Sequence, residues 1–207
     1  MLETLFLSVF AALLSTLLVL RSIYKIKAGV FKRGIYSRNE GVMLIIYRSF
    51  LGVPLLAAVL FYFIDPLSPG WTRIELPLWL RSTGVLIGCA ALVLLARAHR
   101  ALGRNFSPTL SFRDDHRLVT TGPYRHIRHP IYLAYLLLFT SGFLVTCHWA
   151  IGVFGVSIIL ILVTFRLEKE EKLLKRRFGE EYLEYSGRTP RFIPRIQASP
   201  RKIKSAD

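Results

Sequence analysis

The sequence predicts an all-α, polytopic membrane protein with about five transmembrane helices, and three observations carry that prediction. Hydrophobic residues make up 53% of the 207, and the mean hydropathy is +0.43. A soluble chain this apolar needs a larger core than its length can supply. The apolar residues also fall in long runs, close to the ~20 residues that cross the hydrocarbon at ~1.5 Å rise per residue. Finally, the formal net charge is +15, and the basic residues collect between alternate runs, as the positive-inside rule requires. A nucleic-acid binder would explain the charge but not the runs.

The first run, Leu2 to Leu20, is broken only by Glu3, Thr4, Ser8, Ser15 and Thr16. A cleaved signal peptide usually has a basic start and a small-residue cleavage site. Here Glu3 stands at the start and Arg21, Lys25 and Lys27 follow, so a retained span is expected. Residues 21–40 are basic, with Arg21, Lys25, Lys27, Lys32, Arg33 and Arg38 against Glu40. A second span is expected from about Gly41 to Ile64. Asp65-Pro66-Leu67-Ser68-Pro69-Gly70 then breaks the helix, and the loop is slightly acidic through Asp65, Arg73 and Glu75.

The third span is expected from about Pro77 to Ala96. A polar stretch, Arg97 to His129, is rich in arginine and histidine. Runs at about Pro130–Thr146 and Trp149–Phe165 follow, joined only by Cys147 and His148, which predicts a tight antiparallel hairpin. Arg166 to Tyr185 has a charged helical pattern, and Gln197 to Asp207 reads as a basic, disordered tail. The expected divisions are 1–96 for the first three spans, 97–196 for a core built on the hairpin, and 197–207 for the tail.

Five alternating spans put the basic segments 21–40, 97–129 and 166–207 on one face. The expected orientation is therefore N-terminus outside and C-terminus in the cytoplasm. Arg48 and Arg81 fall inside spans. Snorkelling to the interface is the ordinary reading of both, with a polar cavity as the alternative for Arg48. Cys89 and Cys147 lie in apolar runs, give no disulfide framework or metal-ligand spacing, and read as small buried hydrophobes.

Chemistry concentrates in two clusters on the cytoplasmic face. The first runs from His116-Arg117-Leu118-Val119 through Gly122-Pro123-Tyr124 to Arg128-His129-Pro130-Ile131-Tyr132. Gly122-Pro123 marks a turn, and Pro130 suits the first turn of a helix. His129 is then at a helix entrance, beside backbone N–H groups that favour an anion. Two readings stay open here: a basic collar for lipid phosphate, or half of an active site. The second cluster, Arg166-Leu167-Glu168-Lys169-Glu170-Glu171, places Arg166 and Glu170 four apart on one helix face. An interfacial salt bridge is the plain reading, but the hairpin would bring Pro130 and Phe165 to the same membrane face and make the clusters neighbours. His126 and His129 lack a third ligand, so no metal site is expected. No Ser-His-Asp arrangement, phosphate loop or GxGxxG is present.

Several pieces together resemble the isoprenylcysteine carboxyl methyltransferase family, and are similar to the related membrane phospholipid N-methyltransferases. They are Leu102-Gly103, His116-x-Leu118-Val119-x-x-Gly122-x-Tyr124, Arg128-His129-Pro130-x-Tyr132, Arg166-x-x-x-Glu170-Glu171 and Phe178-Gly179-Glu180-Glu181-Tyr182-Leu183-Glu184-Tyr185. They span about the C-terminal half, while spans one and two carry no matching motif. Where many members have a tryptophan-serine pair after Leu-Gly, this chain has Arg104-Asn105-Phe106-Ser107, which keeps an aromatic.

The resemblance implies a multi-span helical enzyme that uses S-adenosylmethionine in a cytoplasmic pocket formed by the C-terminal half. Carried across by motif, His116, Leu118, Val119, Tyr124, His129, Pro130 and Tyr132 line the cofactor pocket, and Glu170 holds the cofactor's ammonium. Arg166 is the catalytic and substrate-binding residue, facing an acceptor carboxylate. The role of Arg128 stays open. A carboxylate is ionised at neutral pH and needs no base. An amine or thiol acceptor would need one, with His129, Tyr124 or Glu171 as candidates. The implied partners are membrane lipids and a lipophilic or lipidated acceptor from the bilayer, not nucleic acid. Alternatives are a phospholipid, amine or thiol methyltransferase, an NADPH-dependent reductase of the sterol-reductase kind, and a non-catalytic binder of anionic lipid.

Overall fold

The computed structural model describes residues 1–27, 42–67, 72–105 and 117–194. Six α-helices lie in these residues: α1 Leu2–Lys27, α2 Val42–Ile64, α3 Leu78–Leu102, α4 Pro130–Thr146, α5 Trp149–Phe178 and α6 Glu180–Arg188. Short 3-10 turns occupy Gly103–Asn105 and Gly122–Arg125. The all-α expectation holds, with an isolated bridge between Arg73 and His148. The chain is an integral, multi-pass membrane protein. Among the described residues α1, α3 and α5 are long and apolar enough to cross a membrane, and α2 and α4 supply shorter apolar stretches. Side chains such as Phe50, Val53, Leu86, Val93, Val153 and Leu160 point outward, as a lipid-facing exterior requires.

The helix starts agree with the expected spans, whereas several ends do not. Helix α1 continues to Lys27 and α3 to Leu102; between Arg97 and Leu102 no residue breaks the helix before Gly103. Gly103 has φ 51° and ends α3, a conformation in which glycine carries no Cβ penalty. Helix α5 likewise runs through the membrane edge to Phe178, and Gly179 at φ 54° separates it from α6.

Small residues allow the helices to approach closely. A Cβ on Gly84 of α3 would stand 2.6 Å from the Leu144 Cβ of α4, and one on Gly152 of α5 would stand 2.7 Å from the Phe143 Cβ. The Ser141 hydroxyl donates to the Gly84 carbonyl at 2.7 Å. In lipid, where no hydrophobic force separates helix from solvent, such close approach and interhelical hydrogen bonding drive association.

The hairpin turn is as tight as expected. Cys147 adopts a left-handed conformation (φ 63°, ψ 9°) at the end of α4, and α5 begins at Trp149. The loop after α2 is tied to it: Ile74 N–H donates to the Cys147 carbonyl at 2.8 Å and Trp149 N–H to the Thr72 carbonyl at 2.9 Å.

At this same end of the bundle Arg81 departs from expectation. It does not snorkel but is buried, donating to both oxygens of Glu3 (2.7 and 2.9 Å) and to the Val145 carbonyl (3.0 Å). Its guanidinium lies 3.8 Å from the centre of the Phe6 ring, and Arg73 adds a third bond to Glu3 at 3.0 Å. A partner carboxylate nearby makes burial cheaper than stretching to water. Cys147 is buried as expected, but Cys89 faces outward from α3. The Arg48 side chain and residues 197–207 lie outside the described residues.

Candidate functional site

The opposite end of the bundle collects the polar chemistry. Because α4 enters the hairpin there and α5 leaves it, the two sequence clusters meet. Pro130 opens α4 with His129 as its N-cap residue. The His129 Nε2 stands 3.1 Å from Glu171 Oε1 on α5. One turn further along α4, the Tyr132 hydroxyl donates to Glu170 Oε2 at 3.0 Å. Residues 170 and 171 are adjacent, but ~100° apart around a helix of 3.6 residues per turn. Each therefore faces a different partner.

Glu171 is the electrostatic centre. Besides His129, it receives the Arg128 guanidinium at 3.1 Å and Arg191 through a fork, Nε to Oε1 at 3.1 Å and Nη2 to Oε2 at 2.6 Å. Burial alone would raise its pKa, but hydrogen bonds from His129 and Arg191 and the charge of Arg128 outweigh it and hold the pKa down to about 2. An ionised carboxylate only accepts hydrogen bonds, so His129 presents Nε2 with its proton.

Glu170 has a different environment. Its partner Tyr132 is a neutral donor rather than a cation. Tyr124 is close enough to sense the carboxylate. Burial, followed by the Glu170 carboxylate, pushes its phenol pKa well above the ordinary value, so the phenol stays protonated. The Tyr124 carbonyl accepts from the Tyr185 hydroxyl of α6 at 2.7 Å, which fixes the Gly122–Arg125 turn against the C-terminal helix. Arg166 lies one turn closer to the membrane than Glu170, half-buried with its Nε shielded from solvent.

Of the residues singled out by sequence, the structure thus gathers Tyr124, His129, Pro130, Tyr132 and Glu170 at one end of the bundle, with Arg166 a turn away. Leu118 and Val119 are half-buried in the segment leading into the turn at Gly122. His116 lies outside the described residues. Sequence reasoning did not find Arg191, and left Arg128 without a role that the Glu171 contact now supplies. For Tyr182 and Tyr185 there was a signal, since they are three apart on a strongly one-sided helix and both are buried.

This arrangement defines a class: a helical, multi-span membrane protein with a polar site assembled where a hairpin of spans emerges at one end of the bundle. The comparisons with known proteins narrow it. Residues 84–176 match the sequence model of the isoprenylcysteine carboxyl methyltransferase (ICMT) family, which bears out the resemblance over α3, α4 and most of α5. The protein-S-isoprenylcysteine O-methyltransferase of Homo sapiens is 34% identical over 140 residues, covering 61% of this chain and 45% of the human protein. The corresponding enzyme B of Arabidopsis thaliana is 28% identical over 118 residues, covering 56% of this chain and 60% of the plant one. The chain thus spans about half the length of these relatives. A solved structure of the eukaryotic intramembrane Ras methyltransferase ICMT shares the fold, with a TM-score of 0.60 over 92% of this chain and 68% of that one, at 21% identity.

Proposed function

We propose that this chain is an integral membrane methyltransferase that uses S-adenosylmethionine to methylate the carboxylate of a lipophilic acceptor, such as an isoprenylcysteine. The observation that carries the reading is the pairing of Tyr132 with Glu170 at the mouth of the hairpin, beside a Glu171 already satisfied by cations. Of two adjacent carboxylates, one is neutralised by arginine and histidine. The other accepts a hydrogen bond from a phenol, a neutral donor that leaves its carboxylate able to attract an ammonium group.

The donor set fits the cofactor. Glu170 binds the ammonium, and the Tyr132 hydroxyl, by donating to Oε2, orients that carboxylate. Tyr124, protonated because it is buried, donates a hydrogen bond. His129, held by Glu171, presents its ring beside Tyr132, 5.9 Å between centroids. Pro130 sets the start of α4, and Leu118 and Val119 present an apolar wall to the adenine; the resemblance assigns His116 to the same pocket. The chemistry supplied by bound S-adenosylmethionine is an electrophilic methyl group on a sulfonium centre. Arg166, nearer the membrane, pairs with the acceptor carboxylate and aims its oxygen, which needs no base at neutral pH. Catalysis then comes mainly from orientation.

The basic residues at the site's end of the bundle, including Arg21, Lys25, Arg97, Arg100 and Arg166 to Arg191, support a cytoplasmic site with the N-terminus outside. Residues 97–196 form the methyltransferase core and 1–96 the supporting spans. Direct titration of detergent-purified protein with S-adenosylmethionine and with NADPH, alongside Glu170→Gln, tests the reading. Saturable binding of S-adenosylmethionine that Glu170→Gln removes is the expected result. Binding of NADPH instead would overturn it in favour of a reductase, and binding of neither would leave a lipid-binding scaffold.

A further inference from the structure

The segment after α6 contacts His129 twice and the carboxylate paired with it once. The His129 ring packs against Phe192, with centroids 6.0 Å apart. Its backbone N–H donates to the Arg191 carbonyl at 3.1 Å, next to a bond from Arg128 N–H to the Pro190 carbonyl at 2.8 Å. Through its side chain Arg191 also grips the carboxylate that holds the imidazole, with the two-pronged contact to Glu171. Residues 189–194 form neither helix nor strand, so contacts such as these, with the bond from the Thr189 N–H to the Tyr185 carbonyl at 3.0 Å, position them.

We propose that Arg191 is a positioning residue for the cofactor site. This inference rests on the reading of that site as a methyltransferase pocket. Arg191 touches neither Glu170 nor Tyr132 in its own contacts. It acts through Glu171, by fixing both carboxylate oxygens so that Oε1 presents one orientation to His129 Nε2. Backbone pairing at 190–191 prevents the chain at 128–129 from continuing the helical path of α4, and so sets where His129 leaves the helix.

An exposed ion pair ordinarily contributes little, and the Arg191 side chain is 51% exposed. Here, however, the carboxylate is 13% exposed and the contact is bidentate, the geometry in which arginine adds directional constraint as well as attraction. When Arg191 is lost, Arg128 remains to balance the charge of Glu171 and His129 to donate a hydrogen bond to it. Arg191 is therefore needed for orientation more than for charge balance. A lysine, with its single rotating ammonium, replaces the charge but not the fork.

The test is titration of S-adenosylmethionine into wild-type protein, Arg191→Ala and Arg191→Lys, with the thermal midpoint of each recorded in the same detergent. Arg191→Ala is expected to bind roughly tenfold more weakly, the effect of losing one good charge-assisted contact. Arg191→Lys should fall between the two, and the midpoints should stay within a few degrees of wild type. If Arg191→Ala fails to fold, Arg191→Lys decides, with a weakened affinity at a wild-type midpoint expected. Wild-type affinity in the folded variants overturns the inference alone, as does a loss of affinity that merely follows a fallen midpoint. Wild-type protein that binds no S-adenosylmethionine overturns the site's reading, and this inference with it.

Discussion

His129 and Glu171, 42 residues apart, stand 3.1 Å from each other and join the entrance of α4 to the C-terminal extension of α5. The bond crosses between the two arms of a hairpin whose turn lies at the other end of the bundle. It therefore closes a long loop that covalent geometry leaves open.

Glu170→Gln should weaken S-adenosylmethionine binding by about 10- to 100-fold, the usual effect of removing the charge from a charge-assisted hydrogen bond. Tyr132→Phe should weaken it less, because it frees the carboxylate to rotate without neutralising it. Calorimetric titration of both variants reads the order directly. Equal losses would mean that Tyr132 does more than orient Glu170.

Acid stability should depend on Glu171. Its folded pKa, about 2, lies below the ordinary 4.5, so its contacts with Arg128, His129 and Arg191 stabilise the fold fully above the ordinary value. That contribution is lost as pH falls from about 4.5 through about 2. Tyr182, which also faces the carboxylate, stays neutral throughout. Thermal midpoints of wild type and Glu171→Gln should differ most near neutral pH, approach each other below the ordinary carboxylate value of 4.5, and converge as pH nears about 2. Parallel curves would assign the acid transition to other groups.

Tyr185→Phe deletes the bond to the Tyr124 carbonyl and leaves a buried acceptor unsatisfied. It should cost roughly 1–2 kcal/mol and raise hydrogen exchange in residues 122–126, leaving α3 unchanged. Uniform loss of protection across the bundle would argue that α6 is not a local clamp.

Arg81→Ala leaves Glu3, at the opposite end, with Arg73 in place of a buried two-pronged partner. Removing one partner of a largely buried pair should cost about 2–3 kcal/mol, a fall of several degrees in midpoint. Cofactor affinity should change little, since the site lies a full bundle length away. An Arg81→Ala protein with normal stability and lost binding would contradict the division of the molecule into a structural and a functional end.

Hydropathy found the apolar helices because membrane crossing depends on length and composition, both local properties. The neighbourhood of the two clusters was also legible, since a two-residue join leaves the chain little freedom. The Glu3–Arg81 pair was not. Two opposite charges 78 residues apart leave no periodic trace, and each alone looks like a charge at a membrane edge. Nor did the sequence distinguish Glu170 from Glu171, because adjacent identical residues differ only in the direction they face. Arg191 was missed for a further reason: it lies among prolines where no helical or strand period operates, and its place comes only from what it grips.

The two-residue join at Cys147–His148 also has a mechanical consequence. Helix α4 has 17 residues, an arm of ~25 Å at 1.5 Å per residue. It pivots on a backbone already in a sparsely populated conformation, and the strand-like bonds from 72–74 brace that pivot. A change of ~5° in the angle between the arms moves their far ends by ~2 Å, by simple leverage from that rise per residue. That displacement is enough to break a hydrogen bond between His129 and Glu171. The loop on one side of the membrane is thus the fulcrum on which the geometry of the other side is calibrated.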